Sequence, residues 1–264
     1  MCIRDRETAM RVEYAMHHLF PELQELNFSA LLDRVIFTLM NTEMNREILE
    51  GVPSREFMDL SVVYRFFLEN NGMTGTILIS NDMMRELDLT EEKLYVMARE
   101  NTMKLMPVLM IPFERFEKIV SARQFKRNPQ VLVEAEKESS RDDLGAYILT
   151  NHMGMNGAVG MLYESRLFQL AEKIGSNFFI LPSTLHQVMA ISEESADWDA
   201  MKEMPSIPGE ERLIRPEEML SKKIYYYDRF TRKLRFSTEE MCIRDRNIDS
   251  LEAGPLWLSS CWMK

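Results

Sequence analysis

A chain of 264 residues, 45% hydrophobic and 28% charged, is long enough to bury a sizeable core in one or two domains. Its 42 acidic and 32 basic residues leave a net charge of −10, which repels polyanions and disfavours a broad nucleic-acid or anionic-membrane surface. No run approaches the roughly 18 apolar residues that a membrane-spanning helix needs.

The first six residues, M-C-I-R-D-R, return unchanged at 241–246. A unit that occurs twice with nothing similar between is not a stacking repeat, and this one is similar to the translation of a transposon end used in sequencing libraries. We therefore expect residues 1–6 and 241–264 to be non-native, and 7–240 to be the native body. All three cysteines, Cys2, Cys242 and Cys261, lie in those ends, so the body has no disulfide, no thiolate nucleophile and no cysteine metal ligand. A cysteine-free body suits a reducing cytoplasm. Removing the ends takes away five of the 32 basic and four of the 42 acidic residues, leaving 27 against 38 and a net of −11.

Residues 7–33 read as helical, with Val12, Met16, Leu19 and Leu23 at helical spacing and Pro21 starting a new turn. Residues 34–40 change to strand composition, and 45–50 form a short helix closed by Gly51 and Pro53. The runs 57–68 and 74–80 flank N-N-G and predict two antiparallel strands. Ser80 or Asn81 caps a helix over 82–87, and Thr90 opens a longer one whose Leu94, Met97, Ala98, Asn101 and Leu105 share a face. A strand over 105–111 and a helix over 113–120 follow. Residues 121–143 turn charged, with V-L-V their only apolar cluster, and read as a linker or exposed insertion. The segments 146–150 and 158–162 flank N-H-M-G-M-N-G as strands of a longer hairpin, and 165–174 is a helix stopped by Gly175. Strands near 177–181 and 186–191 come next, then helices over 196–204 and from Pro216, and a closing hairpin of 222–227 with 233–237. Strands and helices mix without regular alternation. The expected class is α+β, mainly antiparallel sheet with flanking helices, in two lobes, 7–120 and 144–237, either side of 121–143.

Four segments occur in an order that resembles a bacterial family of unknown function, DUF5688. They are V-P-S-R-E-F-M-D-L-S-V-V-Y from Val52, L-T-E-E-K-L-Y from Leu89, G-S-N-F-F-I-L-P-S-T-L-H-Q-V from Gly175, and K-K-I-Y-Y-Y-D-R from Lys222. The similarity spans about residues 33–236. It implies a bacterial cytoplasmic protein and brings no activity with it. Family members carry Glu after the histidine, where this chain has Gln187; that departure counts against a Ser-His-Glu relay.

The chain is organised around 176–192, S-N-F-F-I-L-P-S-T-L-H-Q-V-M-A-I-S, where two apolar runs meet at a corner holding Pro182, Ser183, Thr184 and His186. A Ser183–His186 pair with a distant carboxylate would support nucleophilic catalysis. Yet on a strand the two residues point to opposite faces, and no G-x-S-x-G elbow is present. The plainer reading is a turn at Pro182 and Ser183 with His186 bonded to backbone. Thr184, Tyr225 and Tyr227 are weaker ligand-binding candidates. His17 and His18 are adjacent and cannot chelate as an i, i+4 pair could; His152 reads as solvated; Asp142-Asp143 and Glu217-Glu218 read as solvated faces or helix starts. The closing hairpin interleaves Lys222, Lys223, Arg229, Arg232, Lys233 and Arg235 with aromatic residues, a nucleic-acid pattern that also fits a half-buried hairpin with a charged outer face. Of the 22 methionines, 19 lie in the body and read as adaptable core filler. No P-loop, cofactor motif or metal set is visible. The expected function is a non-enzymatic regulatory or interaction module binding a protein or small ligand; the alternatives are a hydrolase-like enzyme using Ser183 and His186, and a nucleic-acid binder using 222–236.

Overall fold

The computed structural model describes residues 27–70, 73–122, 128, 130–137, 145–203 and 218–238. It is an α+β protein with two antiparallel sheets. The strands are β1 (Val35–Asn41), β2 (Ser54–Phe57), β3 (Leu60–Asn70), β4 (Met73–Leu78), β5 (Val108–Pro112), β6 (Ala146–Asn151), β7 (Phe178–Leu181), β8 (Val188–Ser192), β9 (Tyr225–Asp228) and β10 (Lys233–Phe236). The helices are α1 (Arg46–Glu50), α2 (Asn81–Glu86), α3 (Glu91–Leu105), α4 (Phe113–Ser121), α5 (Gln130–Lys137), α6 (Glu164–Ile174) and α7 (Trp198–Glu203). Predicted helices before residue 27 and from Pro216 lie outside the described residues. The described residues fall in two compact units, one holding those of 27–37, 51–53 and 63–105, the other those of 38–50, 54–62 and 106–238.

In the first unit, β3 and β4 pair antiparallel with Phe66 opposite Ile77 and Phe67 opposite Thr76. Ser80 caps α2 by accepting the Met83 N–H at 3.1 Å, and Thr90 accepts the Lys93 N–H at the start of α3. Leu94 and Ala98 are buried on α3. On the same helix Thr102 Oγ1 accepts the Phe37 N–H at 2.9 Å, and Asn101 donates to the Leu32 carbonyl. Phe37 packs its ring against Tyr64 and Tyr95.

The second unit is built on the six-stranded sheet β10-β9-β7-β8-β6-β5. Strands β5, β6, β7 and β8 are buried along their whole length, which is why they read as unbroken apolar runs rather than alternating ones. One face carries Leu109, Ile111, Ile148, Phe179, Met189, Ile191 and Tyr226 against Phe113, Phe116 and Ile119 of α4, Leu132 and Ala135 of α5, and Met201 of α7.

Two segments differ from their sequence reading. Within the charged stretch 121–143, residues 130–137 form α5, with Leu132 and Ala135 in the core and Val131 and Val133 partly buried against it. Glu136 of this helix accepts the Met110 N–H at 2.8 Å, so the helix also seals the outer edge of β5. Where the sequence predicts a strand over 158–162, Gly157–Leu162 is a 3-10 helix. The N–H groups of Gly157 and Ala158 bond to the carbonyls of His186 and Leu185 instead of to β6.

Leu132→Ala should lower the unfolding free energy by about 3 kcal/mol, the usual range for truncating a buried leucine, in a urea titration. A change near zero would mean that α5 is not docked on the sheet.

Candidate functional site

The corner that joins β7 to β8 is not strand. Thr184 makes an isolated bridge to Met219, while residues 182–187 are otherwise held by hydrogen bonds to flanking segments. On one side the strap 218–221 receives them: Leu185 N–H donates to the Glu218 carbonyl at 2.9 Å, Leu220 N–H to Ser183 at 3.1 Å, and Ser221 N–H to Pro182 at 3.0 Å. On the other side the His186 carbonyl accepts the Gly157 N–H at 2.9 Å and the Thr150 hydroxyl at 3.2 Å. Gly157 is required there, because a Cβ would lie 2.4 Å from the His186 oxygen and 2.5 Å from the Thr150 Cα. The preceding turn is built by Asn151, whose Oδ1 accepts the Met153 N–H and whose Nδ2 donates to the Met155 carbonyl, and Asn156 then takes a left-handed φ of 54°.

His186 directs Nε2 toward Glu218 Oε1 at 3.6 Å, a close approach that is too long for a hydrogen bond. The Glu218 side chain is only 10% exposed. The other ring nitrogen, Nδ1, is buried and has no hydrogen-bond partner among the described residues. The same holds for Ser183 Oγ and Gln187 Nε2, in residues only 9% and 3% exposed. Ser183 and His186 therefore make no hydrogen bond to each other, and the serine-histidine pair considered from sequence is not assembled. Thr184 Oγ1 donates weakly, at 3.4 Å, to the Gln187 carbonyl.

The strap is tied down by Asp59, which follows Met58 in a left-handed conformation at the β2–β3 turn. Asp59 Oδ1 accepts the Tyr225 hydroxyl at 2.5 Å, and Oδ2 accepts the Ser221 hydroxyl at 2.7 Å with Lys223 Nζ at 3.8 Å. Asn41 Nδ2 donates to the Leu220 carbonyl. Burial, and then the Asp59 carboxylate, push the Tyr225 phenol far above its ordinary range, so it remains a donor. Tyr225 is therefore occupied structurally. Burial also raises Tyr227, whose hydroxyl has no partner among the described residues and whose ring stacks on Phe178.

The basic residues of the β9–β10 hairpin do not form one free stripe. Arg229 pairs with Glu172 and donates to the Gly175 carbonyl, Arg232 pairs with Glu164 and lies over the Phe168 ring, and Lys223 faces Asp59. Arg235 lies over Tyr226, while Lys222 and Lys233 are exposed. Asp228 folds the turn: the Thr231 N–H, with help from the Phe230 N–H, holds its carboxylate below the usual range. Among the described residues no group of three or more His, Cys, Asp or Glu is placed to hold a metal ion, and no helix is long and apolar enough to cross a membrane.

A sequence profile of the family of unknown function DUF5688 matches residues 7–229. The chain belongs to the DUF5688 family. No curated protein and no solved structure matches it.

In this DUF5688 chain the sequence reading found the corner and missed its partners. Glu218 had looked like one half of a solvated acidic pair, and the structure turns it inward against His186. Asp59 and Ser221 carry no motif, and their pairing across 162 positions is visible only in three dimensions. Gly157→Ala should displace the 3-10 helix from the corner and cost about 2 kcal/mol, read by urea denaturation and by weakened amide protection of residues 157 and 158. Asp59→Ala should cost about 2–3 kcal/mol, because it leaves the buried Tyr225 hydroxyl without an acceptor, whereas Asp59→Asn should cost less in the same assay.

Proposed function

We propose that this protein is a non-enzymatic, regulatory binding module that takes a small, uncharged polar ligand at the corner 183–187. One observation carries the reading: three buried polar atoms within five residues, Ser183 Oγ, His186 Nδ1 and Gln187 Nε2, have no hydrogen-bond partner among the described residues. Leaving such a group unpaired costs about 1–3 kcal/mol, and the polar atoms of a bound ligand would satisfy all three. The set combines an amide donor with a ring nitrogen and a hydroxyl, each able to donate or accept. A ligand with hydroxyl or amide groups offers hydrogen bonds to all three atoms, and the Glu218 carboxylate nearby opposes an anion. A cysteine-free body is compatible with work in a reducing bacterial cytoplasm.

The hydrolase alternative keeps one supporting observation, the Glu218 carboxylate beside His186. Against it, the nucleophile lacks its bond to the base. Native mass spectrometry of the cytosolic protein should show a small organic adduct that disappears in Gln187→Leu. The same variant should unfold within about 1 kcal/mol of the parent, since an apolar side chain relieves an unpaired buried group rather than breaking a bond. A bare chain mass in the parent would sink the ligand reading. Covalent labelling by a fluorophosphonate probe, lost in Ser183→Ala, would establish the enzyme instead.

A further inference from the structure

The six-stranded sheet ends in two edges of opposite character. At β5 the outer edge is covered, with Glu136 of α5 accepting the Met110 N–H and Leu132 of the same helix in the core. At β10 no further strand pairs with the outer edge among the described residues. Three of its four residues, Lys233, Arg235 and Phe236, are exposed, and Phe230 in the adjoining turn is 84% exposed. An open edge presents a row of backbone donors and acceptors that a further strand can take up.

The side chains on that edge say which strand fits. Successive residues of β10 face opposite sides, so Lys233 and Arg235 share one face while Leu234 and Phe236 share the other. The basic face is a local reversal of sign on a chain of net charge −10. A second copy paired through the same edge would set cations beside cations, which opposes self-association. The apolar face has Phe236 packed edge-on against Tyr225 with Lys223 above the ring, which leaves its outer rim for an incoming side chain.

We propose that the outer edge of β10 is a strand-addition site for an extended acidic segment of a partner protein, in which acidic residues alternate with apolar ones. Main-chain bonds to β10 supply the docking. Acidic side chains meet Lys233 and Arg235, and apolar ones meet Leu234 and Phe236.

The test titrates the full chain with the peptide acetyl-EVEVEV-amide, with acetyl-KVKVKV-amide as control, and follows backbone amides by NMR and hydrogen exchange. The acidic peptide should bind one to one, protect the amides of β10, and weaken with added salt. The double variant Lys233→Glu/Arg235→Glu, checked for an unchanged circular dichroism spectrum, should lose about tenfold in affinity for EVEVEV and gain affinity for KVKVKV. Absence of binding at millimolar peptide would overturn the proposal, as would equal binding of both peptides or protection away from β10. Dimerisation of the free chain through β10 would assign the edge to a second copy. Tighter, salt-sensitive binding of oligodeoxythymidylate at the same amides would assign it to nucleic acid.

Discussion

Backbone pairing between the strap 218–221 and the corner 182–185 sets the geometry of everything around His186. Leu185, Leu220 and Ser221 donate across this join, and it brings Glu218 to the imidazole. The join itself depends on Asp59, which receives hydroxyls from both Ser221 and Tyr225. A charge-assisted hydrogen bond to a carboxylate is roughly twice as strong as a neutral one. A single acidic residue at a strained turn therefore holds a loop that has little regular secondary structure of its own.

The opposite side of the corner is set by close approach rather than charge. Gly157 lets a 3-10 turn lie against the His186 carbonyl and the Thr150 backbone at distances no side chain permits. Main-chain atoms of residues 182–186 are consequently well bonded, while polar side-chain atoms of Ser183, His186 and Gln187 are not. That contrast separates scaffold from candidate site. A rigid backbone presenting unmatched polar groups is suited to receiving a ligand, since little ordering is left to be done on binding.

Charge is arranged by the same logic. The acidic excess belongs to the chain as a whole, while the β9–β10 hairpin gathers cations and matches several of them internally, Arg229 with Glu172 and Arg232 with Glu164. Exposed pairs of this kind contribute little stability, on the order of 0–1 kcal/mol. They do orient the hairpin's aromatic and basic side chains, and Arg232 over Phe168 adds a packing contact to the ion pair. The edge they leave at β10 differs from the helix-covered edge at β5 in both exposure and sign.

Local chemistry made much of the fold legible. Ser80 and Thr90 announced helix starts, Gly175 a helix stop with φ of 84°, and the apolar runs read over 105–111, 177–181 and 186–191 the buried strands found at 108–112, 178–181 and 188–192. Each of these rests on interactions among residues a few positions apart, so the sequence by itself determined the α+β class, most elements and the position of the corner. The tertiary structure alone decided that V-L-V in a charged stretch is a core-facing helix, that 157–162 bends into a 3-10 turn, and that Glu218 faces His186 while Ser183 does not. The reason is physical: burial of Leu132, the steric demand at Gly157 and the pairing of Asp59 with Ser221 all depend on segments far apart in the chain. No periodicity or spacing records which distant group will arrive to satisfy them.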